Sequence, residues 1–494
     1  MIAIRAENLV LDTPVPAHMQ DRGLVPVQEL VETTDPVTGE PVGYFQDAVA
    51  PVAVPLRDGK VVYPRNAFST EELMAAGYDV MEVVPHPARR VSFREAAERV
   101  QLRQKQVEPF QTLVNKHGDC YVVLGTGRGK TVLAILLAAR SGHPALVFVD
   151  NGGLMEQWVE RATDAGLFDL ARDEVGRCTG PFDSWEWEGR SVCITTFQSF
   201  GPAVERGDVS EEFLNYFGWA FFDEAHVVIT PTRFHLLSLF RCNRVCLTAT
   251  PERKGWERIA YQHVSFPTVE DREPDLVPDV FVRAVKPTKS KEYPLKSMRS
   301  YTTMSNDLLG TDRRKADPAY LNACVLLVQE LQARGRTTMV LSPRTKFLDR
   351  LRGHIDGMEV IDGSVRFENR PGLLKRSNVV GVTTSIGEKA LDRVDLDALV
   401  MVIPVGSSAT TRMRQGAGRI LRFLSDKSCP EMYILYPPCG YGKKLASANA
   451  DMCARFGYRV LERPEFDEEK ARAQQRRRDM SAQRSTGIRR RRKK

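Results

Sequence analysis

The sequence predicts an α/β protein with two tandem parallel-sheet lobes, a small N-terminal accessory module and a disordered basic C-terminal tail. From about residue 96, apolar runs of strand length alternate with helical segments, and this alternation predicts doubly wound parallel sheets. A polar stretch punctuated by prolines, at 267–279, separates two such series. We therefore expect four regions: an accessory module over 1–95, a first lobe over 96–268, a second lobe over 269–465 and a tail over 466–494.

The predicted strands are short apolar runs, as expected where both faces of a parallel sheet are buried. In the first lobe they are YVVL, ALVFVD, SVCITTF, WAFF and RVCLTAT. In the second lobe they are TTMVLSP, MEVIDG, NVVGVTT, LDALVMVIP and EMYILYPP, with helices at about 319–334, around KFLDRLRGHI and from near Ala409. Residues 1–95 instead mix short apolar alternations with turns rich in proline and glycine, which is typical of a small β-rich or α/β module.

Positive charge is concentrated at the end of the chain. Residues 476–494 hold ten Lys or Arg and one Asp, a charge of +9, whereas the whole chain carries +7, so that residues 1–475 carry 7 − 9 = −2. A segment so charged and so poor in apolar residues has too little surface to bury, and we expect it to be disordered. Such a tail would bind a polyphosphate without sequence preference, although a solvated tail or a localisation signal has the same composition.

Cysteine usage and hydropathy predict a cytoplasmic protein that is neither secreted nor membrane-spanning. A chain of 494 residues predicts about three domains. No apolar run approaches the roughly 20 residues that a membrane span needs, and the N-terminus lacks the apolar core of a signal peptide. The nine cysteines are dispersed, without a CxxC pair or clustered histidines, so we expect reduced thiols and no zinc site.

The stretch YVVLGTGRGKT, residues 121–131, is typical of a strand that leads through a phosphate-binding loop into a helix. Glycines let the backbone turn so tightly that successive N–H groups point at phosphate oxygens, and the positive end of the following helix adds to the attraction. Lys130 would reach the β- and γ-phosphates, and Thr131 would offer its hydroxyl to Mg²⁺. Leu124 stands where the strict pattern has Gly, so the match is to a relaxed form. The residues expected to bind nucleotide here are Gly125, Thr126, Gly127, Arg128, Gly129, Lys130 and Thr131.

Another apolar strand, WAFF, delivers Asp223 and Glu224 at its carboxyl end. Ligands of parallel sheets collect at the carboxyl ends of the strands, so we expect the acidic pair and the phosphate loop at one edge. Asp223 would hold Mg²⁺, and Glu224 would orient and deprotonate the attacking water. Together the two elements predict hydrolysis of ATP with Mg²⁺ as cofactor.

Residues 415–422, QGAGRILR, carry Arg419 and Arg422 three positions apart on a predicted helix, so both side chains project from one face. If they face the phosphates, they would neutralise the charge that develops on the transferred phosphoryl group. An arginine pair on a helix is otherwise most often a solvated face, and only the surrounding motifs favour the catalytic interpretation.

Taken together, the motifs resemble those of superfamily 2 helicases and nucleic-acid translocases of the DEAH-box type, in collinear order over roughly residues 100–440. The matching segments are LRQKQ (102–106), GTGRGKT, GLMEQW (153–158), TTFQSF (195–200), DEAH (223–226), LTATP (247–251), VLSPRTKFL, TTSIGEKALD (383–392) and QGAGRILR. Two departures stand out: the proline usual before GLMEQW is absent, and Ala390 replaces a usual Gly. Within the superfamily the chain looks most like the group of the phage UvsW, XPB-type and poxvirus transcript-release helicases.

The resemblance implies two RecA-like lobes and assigns roles to further residues. Gln106 would read adenine, Asp392 and Gln415 would complete the nucleotide site, and Arg422 with Arg419 would supply the arginine finger. ATP bound between the lobes would close them, and hydrolysis would release them. The contacts with the nucleic-acid backbone would therefore tighten and loosen in alternation.

We therefore expect an ATP- and Mg²⁺-dependent helicase or translocase that unwinds or remodels duplex or branched DNA in recombination, repair or fork processing, with the 1–95 module as a candidate DNA-binding element. An RNA helicase or transcript-release factor and the motor subunit of a restriction system stay open. A binding protein with a decayed motor is disfavoured, because the site residues are retained.

Among single residues, Trp158 is expected in the core rather than stacked on a base, and Trp185 and Trp187 are as consistent with a surface hairpin as with any other role.

Overall fold

The chain, described here from a computed structural model, divides into two compact units, Met1–Arg272 and Glu273–Lys494. The structure describes residues 1–5, 8–19, 24–34, 41–51, 54–55, 60–82, 90–116, 118–125, 127–228, 233–249, 268–271, 276–295, 298–366, 369–384, 393, 395–406, 417–418, 420–421 and 429–467. Within those ranges, no helix combines the length and the apolar character that crossing a membrane requires.

The N-terminal part of the first unit contains a small mixed sheet and a separate hairpin. Its elements are β1 (Ile2–Arg5), β2 (Asn8–Leu11), β3 (Leu24–Thr34), β4 (Pro41–Pro51), β5 (Val54–Pro55), β6 (Val61–Pro64), helix α1 (Thr70–Ala75) and β7 (Asp79–Glu82). Five strands form a sheet in the order β5-β6-β2-β1-β7, and β3 pairs with β4 alone. Helix α1 begins with a capping box, in which Ser69 and Glu72 each accept the other's backbone N–H. This short helix closes one side of the sheet by burying Leu73.

The rest of the first unit is a seven-stranded sheet covered by helices. Its elements are α2 (Val91–Ala96), α3 (Gln104–Lys116), β8 (Cys120–Leu124), α4 (Lys130–Ser141), β9 (Ala145–Val149), α5 (Gly152–Thr163), β10 (Val175–Cys178), β11 (Val192–Thr196), α6 (Phe197–Glu205), α7 (Glu211–Tyr216), β12 (Trp219–Asp223), β13 (Asn243–Thr248) and β14 (Thr268–Asp271). The strand order is β10-β11-β9-β12-β13-β8-β14, and every pair in it is parallel. The doubly wound parallel sheet predicted from the apolar runs is therefore confirmed.

Two separate cores lie on the two faces of this sheet, because alternate residues of a strand point to opposite sides. Val122 and Leu124 of β8 enter one core together with the apolar surface of α4. Tyr121 and Val123 enter the other, which is rich in aromatic rings. Trp185 belongs to that second core, so the structure excludes the surface hairpin, one of the interpretations left open for this residue. The Trp185 side chain is only 6 % exposed, and its neighbourhood contains a single 3₁₀ turn rather than paired strands.

A buried ionic network joins the N-terminal part to the amino end of the seven-stranded sheet. Asp119, just before β8, accepts hydrogen bonds from the Arg244 backbone N–H at 2.7 Å, from Arg244 Nη2 at 2.6 Å and from Asn66 Nδ2 at 2.8 Å. Arg65 lies 3.6 Å from the same carboxylate and donates to the Arg241 carbonyl at 2.9 Å. Burial alone would raise the pKa of Asp119, but the charges of Arg244 and Arg65 outweigh it and hold that pKa below its ordinary value.

The second unit repeats the architecture. Its elements are β15 (Asp279–Ala284), α8 (Met298–Leu309), α9 (Pro318–Ala333), β16 (Thr338–Ser342), α10 (Thr345–Arg352), β17 (Glu359–Ile361), α11 (Arg370–Arg376), β18 (Val379–Thr383), β19 (Ala398–Met401), β20 (Glu431–Tyr436), α12 (Gly440–Arg455) and β21 (Arg459–Glu462). The strand order is β17-β18-β16-β19-β20-β15-β21, again parallel throughout. The second predicted parallel sheet is thus confirmed, whereas the helix predicted from near Ala409 falls almost wholly outside the described residues.

Asp119→Asn should destabilise the first unit strongly. The substitution leaves the Arg244 guanidinium, whose side chain is 4 % exposed, without its compensating charge, and breaking a buried pair in this way costs about 3–5 kcal/mol. Because folding lowers the pKa of Asp119, the wild-type stabilisation is complete above the ordinary value of 3.8 and is lost only as pH falls through the lowered value. Urea unfolding followed by circular dichroism measures the difference.

The matched control is Asp169→Asn. It breaks the Arg99–Asp169 ion pair, whose side chains are 55 % and 54 % exposed, and should cost at most about 1 kcal/mol. Equal midpoint shifts for the two variants would contradict a structural role for the buried network.

Candidate functional site

The predicted phosphate loop connects the end of β8 to the start of α4. Gly127 and Gly129 have φ angles of +85° and +80°, a region that glycine enters without the steric cost borne by other residues. Gly129 is the residue before the first turn of α4, so the uncapped N–H groups of that turn lie directly beyond the loop. The Gly125 N–H donates to the Asp271 carbonyl at 3.0 Å and thereby ties the start of the loop to the end of β14. A tight loop that ends on a helix N-terminus is suited to binding a phosphate group.

Lys130 and Thr131 lie in the first turn of α4, and both side chains are partly exposed. The Lys130 ammonium donates to the Leu124 carbonyl at 3.3 Å, so the amine is held over the loop. Leu124, which replaces the glycine of the strict motif, is fully buried in the core beneath. The departure from the strict pattern therefore falls on a packing position.

Gln106 of α3 packs directly against the loop. Its Nε2 donates to the Arg128 carbonyl at 3.1 Å, and its Oε1 accepts the Arg103 N–H at 3.0 Å. Arg103 also reaches the loop, where its Nη2 donates to the Gly127 carbonyl at 2.8 Å. A Cβ on Gly129 would approach Gln106 Nε2 to 2.1 Å, so a larger residue would displace the Gln106 amide as well as strain the backbone at this positive φ. The structure shows Gln106 supporting the loop, and its reading of adenine stays a prediction.

Arg128 is turned inward, although its position within the loop predicts contact with nucleotide. Its side chain is 5 % exposed and forms an ion pair with Asp271 at the end of β14. Asp271 thus holds the loop through its side chain and through its carbonyl. Sequence reasoning missed this residue, because it lies in the stretch interpreted as the exit from the first lobe and no local pattern marks it.

Asp223 and Glu224 lie at the carboxyl end of β12, and the sheet register places them beside the loop. Asp223 is level with Leu247 on β13, which is level with Val122 on β8, three residues before the loop starts at Gly125. The loop and the acidic pair therefore lie at one edge of the sheet, as predicted. Glu224 has a φ of +51°, a left-handed conformation that costs a non-glycine residue of the order of 1–2 kcal/mol. Strain of this kind is often found where a side chain must be aimed at a site.

Both oxygens of the Asp223 carboxylate are held by hydrogen-bond donors. Oδ2 accepts the Trp158 indole N–H at 2.8 Å, and Oδ1 accepts the Glu224 backbone N–H at 3.0 Å. Burial and the neighbouring charge of Glu224 raise the pKa of Asp223 to about 6, against the opposing effects of Trp158 and Lys130. Lys130 lowers this pKa because it lies at the same edge of the sheet as Asp223. Trp158 is buried as predicted, but its role as a donor to the acidic motif was not foreseen.

Two further helices begin at the same edge of the sheet. Asn151 caps α5 by accepting the Leu154 N–H at 3.1 Å, and Thr196 caps α6 by accepting the Ser199 N–H at 3.2 Å. Gln198 of α6 donates to the Asp150 carbonyl at 2.9 Å and so links the two helix starts. The positive ends of three helices, including α4, therefore lie along the carboxyl edge, which favours anionic ligands.

Several predicted site residues lie outside the part of the chain that the structure describes: Thr126, Asp392, Gln415, Arg419 and Arg422. Their roles stay predictions. Among the described residues, no group of three or more His, Cys, Asp or Glu side chains is gathered into a metal site. Thr131 and Asp223 carry the oxygen donors that Mg²⁺ prefers, and their binding of this ion stays a prediction.

Comparison with known families identifies the region that carries this geometry. Residues 95–253 match the family model described as the res subunit of type III restriction enzymes. The match includes the phosphate loop, Trp158 and the acidic pair.

Two curated proteins show the range of relatives. The chain is 26 % identical over 171 residues to QP509L of African swine fever virus (isolate Tick/South Africa/Pretoriuskop Pr4/1996), which bears the name of an ATP-dependent RNA helicase, and the match covers 33 % of this chain and 32 % of that protein. It is 23 % identical over 358 residues to the DNA 3'-5' helicase XPB of Mycobacterium tuberculosis, with 71 % of this chain and 63 % of XPB covered. The chain thus spans about a third of the first relative and less than two thirds of the second.

Among solved structures, S. cerevisiae Dbp5 bound to RNA and ADP BeF3 superposes with a TM-score of 0.51 at 12 % identity, covering 76 % of this chain and 96 % of that chain. At this identity the likeness concerns the fold alone, and it confirms the predicted pair of RecA-like lobes. Over residues 95–253 the chain is therefore similar to the res subunit of type III restriction enzymes, and the two curated proteins that it matches are named as helicases.

Proposed function

We propose that this protein is an ATP-dependent helicase or translocase that acts on duplex or branched DNA. The observation that carries the proposal is the convergence of the Lys130 loop and the Asp223–Glu224 pair at one edge of a single parallel sheet. A cationic loop and an acidic pair in this arrangement are the two halves of a nucleoside-triphosphatase site. The relatives named as ATP-dependent and DNA helicases support the same activity.

Each residue of the site has a task in hydrolysis. The loop N–H groups and the N-terminus of α4 bind the phosphates, and Lys130 neutralises the charge on the transferred group. Glu224 orients the attacking water and accepts its proton. Thr131 and Asp223 would hold Mg²⁺, which would supply positive charge to the phosphate oxygens. Gln415, Arg419 and Arg422 complete this proposal as the predicted contribution of the second unit.

DNA is the proposed substrate because the alignment with a protein named as a DNA helicase is the longer one. It extends over 71 % of the chain, against 33 % for the protein named as an RNA helicase. The basic segment 476–494 adds a sequence-independent affinity for phosphates. We propose that the protein acts in the cytoplasm, in recombination, repair or the processing of replication forks.

An RNA helicase or transcript-release factor is the second candidate. The name of QP509L and the RNA in the Dbp5 complex favour it. The motor subunit of a restriction system is a third, favoured by the description of the matching family. All three share the ATPase site and differ in the polymer or partner that stimulates it.

Lys130→Ala should abolish ATP hydrolysis, with kcat reduced at least about a hundredfold, because the transferred phosphoryl group loses its cationic partner. Steady-state phosphate release with saturating DNA is the measurement. Lys105→Ala is the control, since Lys105 is an exposed residue of α3 next to the loop-supporting Gln106. Full activity in the Lys130 variant would refute the assigned phosphate site.

Gly129→Ala should weaken nucleotide binding, because the left-handed φ strains any residue with a Cβ and the new methyl group would displace Gln106 Nε2 from the loop. We expect at least a tenfold loss of affinity in a titration with fluorescent mant-ATP. Gly201→Ala in α6 is the matched control, since its Cβ would meet nothing within 4 Å. Comparable affinity of the two variants would contradict the described loop geometry as the nucleotide site.

ATPase activity should be stimulated more by forked or four-way-junction DNA than by RNA of matched length at fixed salt. The DNA concentration for half-maximal stimulation should rise steeply with salt concentration. Truncation after Gln475 should make this dependence on salt less steep, while kcat at saturating DNA stays unchanged. Equal or stronger stimulation by RNA would instead support the second candidate. Activity that no polymer changes would reject a nucleic-acid motor.

A further inference from the structure

Trp158 has a feature that core packing does not require. The side chain lies on α5, is 1 % exposed and packs in the core that contains α4 and β8. Its indole N–H donates to Asp223 Oδ2 at 2.8 Å, although 65 residues separate the two in the chain. A buried indole needs some acceptor, but a backbone carbonyl or a hydroxyl would satisfy it. Here the acceptor is the carboxylate at the centre of the candidate site.

The bond fixes the orientation of that carboxylate. With Oδ2 held by Trp158 and Oδ1 by the Glu224 N–H, rotation about the bond to the carboxylate group would break one hydrogen bond or both. A bond from a neutral donor to a charged oxygen is stronger than one between neutral groups, and the burial of Trp158 shields this bond from solvent. Each oxygen keeps a further lone pair with which it can face the phosphate loop.

We propose that Trp158 is a positioning residue for metal binding, holding the Asp223 carboxylate in the orientation that receives the cation of a metal–nucleotide complex. The inference rests on the proposed ATPase function and adds to it a residue outside both the phosphate loop and the acidic pair. Groups that orient a metal ligand typically change metal affinity or activity by 10–100-fold when they are lost.

The chain provides a matched control in Trp219. This residue is also buried, at 8 % exposure, lies in the same core and donates its indole N–H at 2.9 Å, but to the Ser141 hydroxyl. Trp158→Phe and Trp219→Phe each remove one indole N–H and a similar volume from one core. Only the first removes a donor to a carboxylate of the site.

The test measures binding of Mn²⁺, as a spectroscopic substitute for Mg²⁺, to the full-length protein saturated with ADP, by electron paramagnetic resonance. Trp158→Phe should weaken Mn²⁺ binding by about tenfold or more, whereas Trp219→Phe should leave it unchanged. The Mg²⁺ concentration for half-maximal ATPase activity should shift in parallel. Circular dichroism and thermal unfolding should show similar, small effects for the two variants.

A second substitution separates the hydrogen bond from the shape of the ring. Benzothienylalanine at position 158 keeps the bicyclic ring and replaces the N–H by sulfur, so packing is retained and the donor is lost. It should reproduce the weakened Mn²⁺ binding of Trp158→Phe. Wild-type Mn²⁺ affinity in this protein would overturn the proposal even if Trp158→Phe failed to fold.

The same experiment distinguishes failure of this inference from failure of the proposed function. If the wild-type protein bound no Mn²⁺ in an ADP-dependent way, the ATPase assignment itself would be refuted. If it bound Mn²⁺ and both Trp158 substitutions bound it equally well, the ATPase site would stand and Trp158 would be a core residue only.

Discussion

The candidate site depends on the parallel pairing of β12 with β13 and of β13 with β8. This pairing sets Asp223 level with Leu247 and Val122, so that the acidic pair and the phosphate loop leave the sheet at one edge. Because successive residues of a strand alternate between faces, a slip of one residue in β12 would move each of its side chains to the core on the other face of the sheet. The two cores that lock the register therefore also set the position of the Asp223 and Glu224 carboxylates.

That arrangement carries an electrostatic cost, which the surrounding residues offset. Asp223 is almost fully buried, and burial is the main reason that its pKa is raised to about 6. The Trp158 and Glu224 N–H groups and the charge of Lys130 favour the ionised form, so the carboxylate is largely charged at neutral pH. Glu224 adds backbone strain at the next position. The residues at this end of the strand thus hold a charged carboxylate at a cost in folding stability. The apolar residues on the two faces of the sheet supply that stability.

Local patterns in the sequence predicted the elements that carry the site, but not the contacts that orient it. Apolar runs marked β8, β9, β11, β12 and β13, since a strand buried on both faces has a continuous apolar signature. The sequence also showed the loop glycines, two of which have a positive φ in the structure. By contrast, the Trp158–Asp223 and Arg128–Asp271 contacts join residues 65 and 143 positions apart, and no periodicity records such a pairing. The role of Trp185 stayed open for a related reason, because its burial depends on aromatic partners from other segments, such as Phe213.

The opposite edge of the same sheet has a different task. Asp119 and Arg244 lie at the amino ends of β8 and β13, so the ionic network with Arg65 and Asn66 is separated from the phosphate loop by the length of a strand, roughly 16 Å for five residues. The N-terminal part of the first unit is thus attached to the seven-stranded sheet at the edge opposite to the phosphate loop. Under the proposed function, its anchoring residues would therefore stabilise the fold rather than bind nucleotide.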